Sequence, residues 1–159
     1  MPSMLHNLPA PSNALVRALV RGTASMAMLA GTLAGCRAQT VAVVRDAEFR
    51  PAIAGSTTAG YFVVDNGTRD TVVVDSVTTP VTRVAELHET SIDSAGVARM
   101  HPVGALVVPP GSVVALRPGG LHLMLMDVAE PLEVGQRVPL TLWLRGGSTL
   151  VASAAVKAR

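Results

Sequence analysis

A chain of 159 residues has room for one domain and a leader, and 49% apolar content excludes an intrinsically disordered protein. The net charge of +2 belongs to the leader: of 13 basic residues, Arg17 and Arg21 fall in the first 35 positions, which hold no acid, and the other 11 balance 11 acidic residues. With no basic cluster and only 3% aromatic residues to stack on bases, nucleic acid is excluded as a partner.

The first element is an address. "ALVRALVR" (14–21) supplies positive charge, and "TASMAMLAGTL" (23–33) is an apolar run of 11 residues. That length is too short to span a bilayer as a helix and suits the apolar region of a signal peptide. The run ends in Leu33-Ala34-Gly35-Cys36, which resembles the lipobox of bacterial lipoproteins. The resemblance implies cleavage before Cys36 and lipidation of its thiol. Residues 1–35 are then a lipoprotein signal peptide, and 36–39 a lipidated N-terminus and short tether. The expected location is the cell envelope or periplasm, with the chain held to a membrane by its acyl chains. Cys36 is the sole cysteine. A disulfide, a thiolate metal cage and a CxxC redox site within the chain are all excluded.

From Thr40 onward the sequence reads as short β-prone runs broken by turns. "TVAVV" (40–44) opens. "AGYFVVDNGTRDTVVVDSV" (59–77) predicts a hairpin with Asn66-Gly67 as its turn. "RVAELHETSID" (83–93) and "VARMHPV" (97–103) flank a Ser-Ala-Gly turn. "PPGS" (109–112) introduces "VVALR", "PGG" (118–120) closes it, and "LHLMLMDV" follows. "RVPLTLWLRGG" (137–147) and "STLVASAAV" (148–156) predict a closing hairpin. About eight strands with frequent turns and no helical period predict one all-β domain over 40–157, a Greek-key β-sandwich or barrel. Asn66-Gly67-Thr68 also matches a glycosylation sequon, which in an envelope lipoprotein reads better as a plain turn.

Successive side chains of a strand point to opposite faces. In "GGLHLMLMD" (119–127), Leu121, Leu123 and Leu125 therefore form the core face, and His122, Met124 and Met126 a second face expected to be exposed or half exposed. After the leader the chain holds three histidines, His88, His101 and His122, and three methionines, Met100, Met124 and Met126, all between 88 and 126. Random core filling does not cluster methionine in this way. Soft thioethers with imidazoles suit Cu(I), whereas zinc calls for a carboxylate or thiolate. His88 shares its face with Glu86 and Thr90, a polar side that suits a site near solvent. His101 adjoins Met100 and points to the other face. Met126 continues the Met124 face as an outer neighbour or as packing.

Ten residues separate His88-Glu89 from Met100, and 21 residues separate Met100 from His122, with Met124 two positions on. This spacing resembles the H(M)X10MX21HXM signature of the periplasmic copper chaperone family PCu(A)C. "ELHET", "ARMHPV", "PPGSVVALRPGGLHLMLMDV" and "EVGQRVPLTLWL" are similar to the family over most of residues 55–155. The resemblance implies a cupredoxin-like β-barrel holding Cu(I) through His88, Met100, His122 and Met124. It implies delivery of copper to a recipient oxidase subunit or another copper chaperone, for assembly of cytochrome c oxidase. Glu89 and Thr90 depart from relatives that carry a methionine just after the first histidine.

Four other readings compete. A blue-copper electron carrier needs a cysteine thiolate in the domain, and Cys36 lies outside it. No GxSxG motif and no supported catalytic dyad points to an enzyme. A copper storage or tolerance protein, or a metal-free β-sandwich acting as an interaction module of the envelope, would each use the same fold.

Overall fold

In the computed structural model, residues 41–158 are described. The expected signal segment 1–35, the lipidation site Cys36 and the tether lie outside them. Among the described residues there are ten strands and no helix: β1 (Ala42–Phe49), β2 (Thr58–Asn66), β3 (Val72–Thr78), β4 (Thr82–Ile92), β5 (Ala98–Pro102), β6 (Leu106–Val108), β7 (Val113–Ala115), β8 (Leu121–Val128), β9 (Arg137–Leu144) and β10 (Thr149–Val156). Hydrogen bonds join them in the order β5-β4-β8-β2-β1-β10-β9-β3-β6, and β7 pairs with β2 off this path. The all-β expectation holds.

The sheet wraps around one apolar cluster. Phe49, Phe62, Val64, Leu123 and Leu125 come from β1, β2 and β8. Val74, Leu106, Val108, Leu140, Leu142 and Val156 come from β3, β6, β9 and β10. Two devices turn the ribbon. Strand β1 carries a bulge between Arg45 and Glu48, with Asp46 in the left-handed region (φ 53°). Beyond the bulge β1 meets β10 in parallel, Glu48 opposite Ala155, whereas the other pairings described here are antiparallel. Sharing strand β1 between both halves lets one chain build two packed layers with a common core.

The expected hairpin over 59–77 does not form. Strand β2 pairs with β1, β7 and β8, and β3 crosses over to pair with β6 and β9. The Asn66 side chain explains the difference. It is fully buried, and its Nδ2 donates to the carbonyls of Asp70 (2.8 Å), Val108 (2.9 Å) and Pro109 (3.0 Å). Its Oδ1 accepts from the Thr68 amide (3.1 Å) and hydroxyl (2.6 Å). Asn66 is thus a clamp that starts a Greek-key crossover, and its burial closes the sequon to a glycan in the folded chain. The closing hairpin does form, with Leu142 opposite Leu150 and Gly146 and Gly147 at positive φ in its turn.

Candidate metal centre

Strands β4, β5 and β8 lie side by side, and their register decides which side chains meet. His88 faces His122 across the β4–β8 pair and Pro102 across the β4–β5 pair. Glu86 faces Met124, and Thr90 faces Met100. Cross-strand partners share a face, and so do residues two apart. His88, Met100, His122 and Met124 therefore lie on one face of three adjacent strands. Leu87 and Leu123, opposite each other, are buried on the other face. The two imidazoles sit with ring centroids 6.0 Å apart, tilted by 42°.

The turns are built to hold this register. At the β4–β5 turn, Asp93 Oδ1 accepts from the amides of Ala95 (3.0 Å) and Val97 (2.9 Å), while Arg99 Nε donates to Oδ2 (3.2 Å). These amide bonds, Val97 foremost, hold the Asp93 carboxyl below its ordinary pKa. Before β8, the Gly120 amide donates to the Arg117 carbonyl (3.1 Å), with Gly119 at φ +78°. Pro118-Gly119 is thus a type II turn, in which glycine meets the positive φ of the third position. The Gly120 carbonyl then accepts from the Thr90 amide (3.2 Å) and from His122 Nδ1 (2.9 Å). One carbonyl therefore ties β4 to the start of β8 and aims the His122 ring.

Exposure is graded across the face. His122 is buried at 7% and Met124 is half-buried, whereas Met100, on an edge strand with every residue exposed, is 61% exposed. Full or half exposure was expected of the whole second face of β8, and His122 departs from it. His122 lies opposite the His88 ring and is drawn in beside the Arg117–Gly120 turn by its Nδ1 contact with the Gly120 carbonyl.

His88 Nε2 meets Glu86 Oε2 at 3.2 Å, and its Nδ1 is buried with no hydrogen-bond partner. A buried imidazole nitrogen without a partner costs about 1–3 kcal/mol. A soft cation bound at Nδ1 would satisfy it, and imidazole with thioether donors is a set that fits Cu(I). Among the described residues no three His, Cys, Asp or Glu side chains converge on a common point. The metal-capable set depends on its thioethers, which favours copper over zinc. His101 is on the opposite face, where it pairs with Glu89 at 3.5 Å, and stays apart from the site. Met126 faces Val84, one further step along the site face. Glu86, which the sequence placed only as part of a polar side, is the addition the structure makes.

An all-β fold with two histidines and two methionines on one face of β4, β5 and β8 makes this chain a candidate metal-binding domain. The chain belongs to the family described as "Putative lipoprotein LpqE-like", which matches residues 42–156. A "Putative lipoprotein Lxx21020" of Leifsonia xyli subsp. xyli is 34% identical over 100 residues, which cover 63% of this chain and 60% of that protein. The match thus spans less than two thirds of the relative's length. Among solved structures, the Cu(I) form of DR1885 from Deinococcus radiodurans is 32% identical with a TM-score of 0.55, covering 74% of this chain and 77% of that one. The copper-bound PCuAC domain from PmoF2 is similar in fold, with a TM-score of 0.60 at 24% identity over 73% of this chain and 92% of that one. The PCu(A)C resemblance read from the sequence holds, and the fold is that of PCuAC domains.

Proposed function

We propose that this protein is an exported, lipid-anchored copper chaperone, not an enzyme, that binds one Cu(I) through His88, Met100, His122 and Met124. It carries the ion to a recipient in the assembly of a respiratory oxidase, a cytochrome c oxidase subunit or a chaperone that serves it. What supports this reading is the placement of His88, Met100, His122 and Met124 on one face of three adjacent strands. Copper-bound relatives of the same fold support it. Cys36, beyond the described residues, supplies the anchor in this reading, and the lipoprotein character of the family supports an envelope location.

The site's chemistry suits a carrier. Neutral thioethers and imidazoles bind without losing a proton, so loading does not depend on deprotonating a thiol. Met100 is the most exposed of the four, which gives a recipient's ligand one replaceable position at the edge of the sheet. His122 and Met124, from one central strand, keep their hold while that exchange proceeds. Among the described residues the soft ligands form one cluster. A capacity of one ion per chain favours delivery over storage.

The test is an anaerobic Cu(I) titration of the chain from Arg37 onward, which contains the whole described core, against a chromophoric chelator. One-to-one binding that collapses in His122→Ala supports the proposal. Failure of the unaltered chain to compete for Cu(I) overturns it and leaves the interaction-module reading.

A further inference from the structure

We infer that Glu86 is a positioning residue that fixes the tautomer of His88, so that His88 ligates copper through Nδ1 while His122 ligates through Nε2. The inference rests on the copper reading above and assigns the ligating atom on each ring.

A neutral imidazole carries one N–H and one lone pair, and whichever acceptor takes the N–H decides which nitrogen is free for a metal. The two histidines have their protons placed by different groups. A backbone carbonyl can only accept, so the 2.9 Å contact between His122 Nδ1 and Gly120 O puts the proton on Nδ1 and the lone pair on Nε2. An ionised carboxylate can likewise only accept, so the 3.2 Å contact between His88 Nε2 and Glu86 Oε2 puts the proton on Nε2. The lone pair of His88 is then on Nδ1, the nitrogen that is buried and has no hydrogen-bond partner. The Glu86 contact sets this tautomer, and the absence of a partner at Nδ1 leaves its lone pair uncommitted.

Glu86 is the acid in place for this task. It lies two residues from His88 on the same face, opposite Met124. Its neighbour Glu89 lies on the other face with His101. The Glu86 side chain is half exposed, so its carboxylate stays hydrated while the Nδ1 side of the ring is covered. Metal-bound histidines generally donate their second N–H to a carboxylate or carbonyl, which orients the ring and raises its basicity. Here the central strand uses a main-chain carbonyl, which no side-chain replacement removes, and β4 uses a replaceable carboxylate. The four proposed ligands are neutral, so Glu86 also supplies the negative charge that balances Cu(I) at the site.

The test reads the tautomers directly. Two-bond proton–nitrogen correlations of the 15N-labelled chain from Arg37 onward, metal-free at about pH 8 and so above the ordinary imidazole range, report which nitrogen is protonated. The expected result is a protonated Nε2 on His88 and a protonated Nδ1 on His122. Glu86→Ala should abolish the His88 preference, leave His122 unchanged and lower Cu(I) affinity by about 10- to 100-fold. Glu86→Gln, whose carbonyl oxygen can still accept from Nε2, should retain the tautomer and most of the affinity. On Cu(I) loading, the nitrogens that shift should be His88 Nδ1 and His122 Nε2. A His88 protonated on Nδ1 in the unaltered protein, or a tautomer indifferent to Glu86→Ala, overturns the inference. The metal-free spectra do not depend on copper. Failure of the copper reading would instead show as intact tautomers in a protein that does not bind Cu(I).

Discussion

Replacing Asn66 with alanine tests whether one buried amide holds the crossover between β2 and β3. The side chain takes part in five hydrogen bonds, from Nδ2 to the carbonyls of Asp70, Val108 and Pro109 and to Oδ1 from the amide and hydroxyl of Thr68. Thr68 and Asp70 are near the surface and can turn to water in the variant. The carbonyl of Val108, a residue with no exposure, cannot do so easily. One stranded buried acceptor costs about 1–3 kcal/mol, and loss of the loop tie adds to it, so about 2–4 kcal/mol is expected. That is a large share of the roughly 5–15 kcal/mol that holds a domain folded. At an m-value of about 2 kcal/mol/M, typical of a small domain, the urea midpoint should fall by roughly 1–2 M at constant m. Asn66→Asp should cost at least as much, because it removes the donor and aims a carboxylate at three carbonyls. Asn66 lies six residues along β2 from Gly60, which pairs beside Met124, or about 20 Å at the strand rise. Cu(I) affinity of the folded variant should therefore be unchanged. A stability change within about 0.5 kcal/mol, as at an ordinary surface position, would refute the clamp.

Gly60→Ala should destabilise by about 1–3 kcal/mol through overpacking, read by the same urea titration. A Cβ there would come within 2.8 Å of Phe49 Cδ1, a ring with no exposure and no room to retreat. Met124→Leu should leave the urea midpoint nearly unchanged, because the volumes match, and should lower Cu(I) affinity by more than the roughly 10- to 100-fold that losing an outer contact costs. Asp93→Ala should speed hydrogen exchange of the Ala95 and Val97 amides and weaken Cu(I) binding by loosening the hairpin that carries Met100. The pH dependence follows from the same bonds. The folded pKa of Asp93 is lowered, so its contribution is present above the unfolded value of about 3.8 and is lost as pH falls through the lower folded value. Amide protection at Ala95 and Val97 should fall in that acid window and not above it.

The site was legible where the chemistry is local. Alternation in Leu121–Met126 sorts the β8 side chains into two faces without any tertiary information, and the structure places them so. Spacing singled out His88 and Met100, yet the register that sets His88 opposite His122 joins segments more than thirty residues apart, which no local pattern specifies. Glu86 was visible only as a neighbour on a polar face. Its contact with Nε2 depends on ring orientation, which sequence does not carry. The misread hairpin at Asn66-Gly67 has the same origin, since the dipeptide is a turn signal and the buried amide that redirects the chain finds its acceptors at 108 and 109. Strand β6 was missed because three residues between Pro102 and Pro109 are too few to show a period. The bulge at Asp46 hid the second half of β1, because an inserted residue breaks the alternation.

X-ray absorption at the copper edge of the one-to-one Cu(I) complex of the chain from Arg37 onward tests the central claim most directly, because it counts the atoms around the ion. The account predicts sulfur and nitrogen scatterers together, with sulfur lost stepwise in Met100→Leu and Met124→Leu and nitrogen lost in His88→Ala. A first shell without sulfur, or one that none of these substitutions alters, would place the metal elsewhere and contradict the assignment of His88, Met100, His122 and Met124.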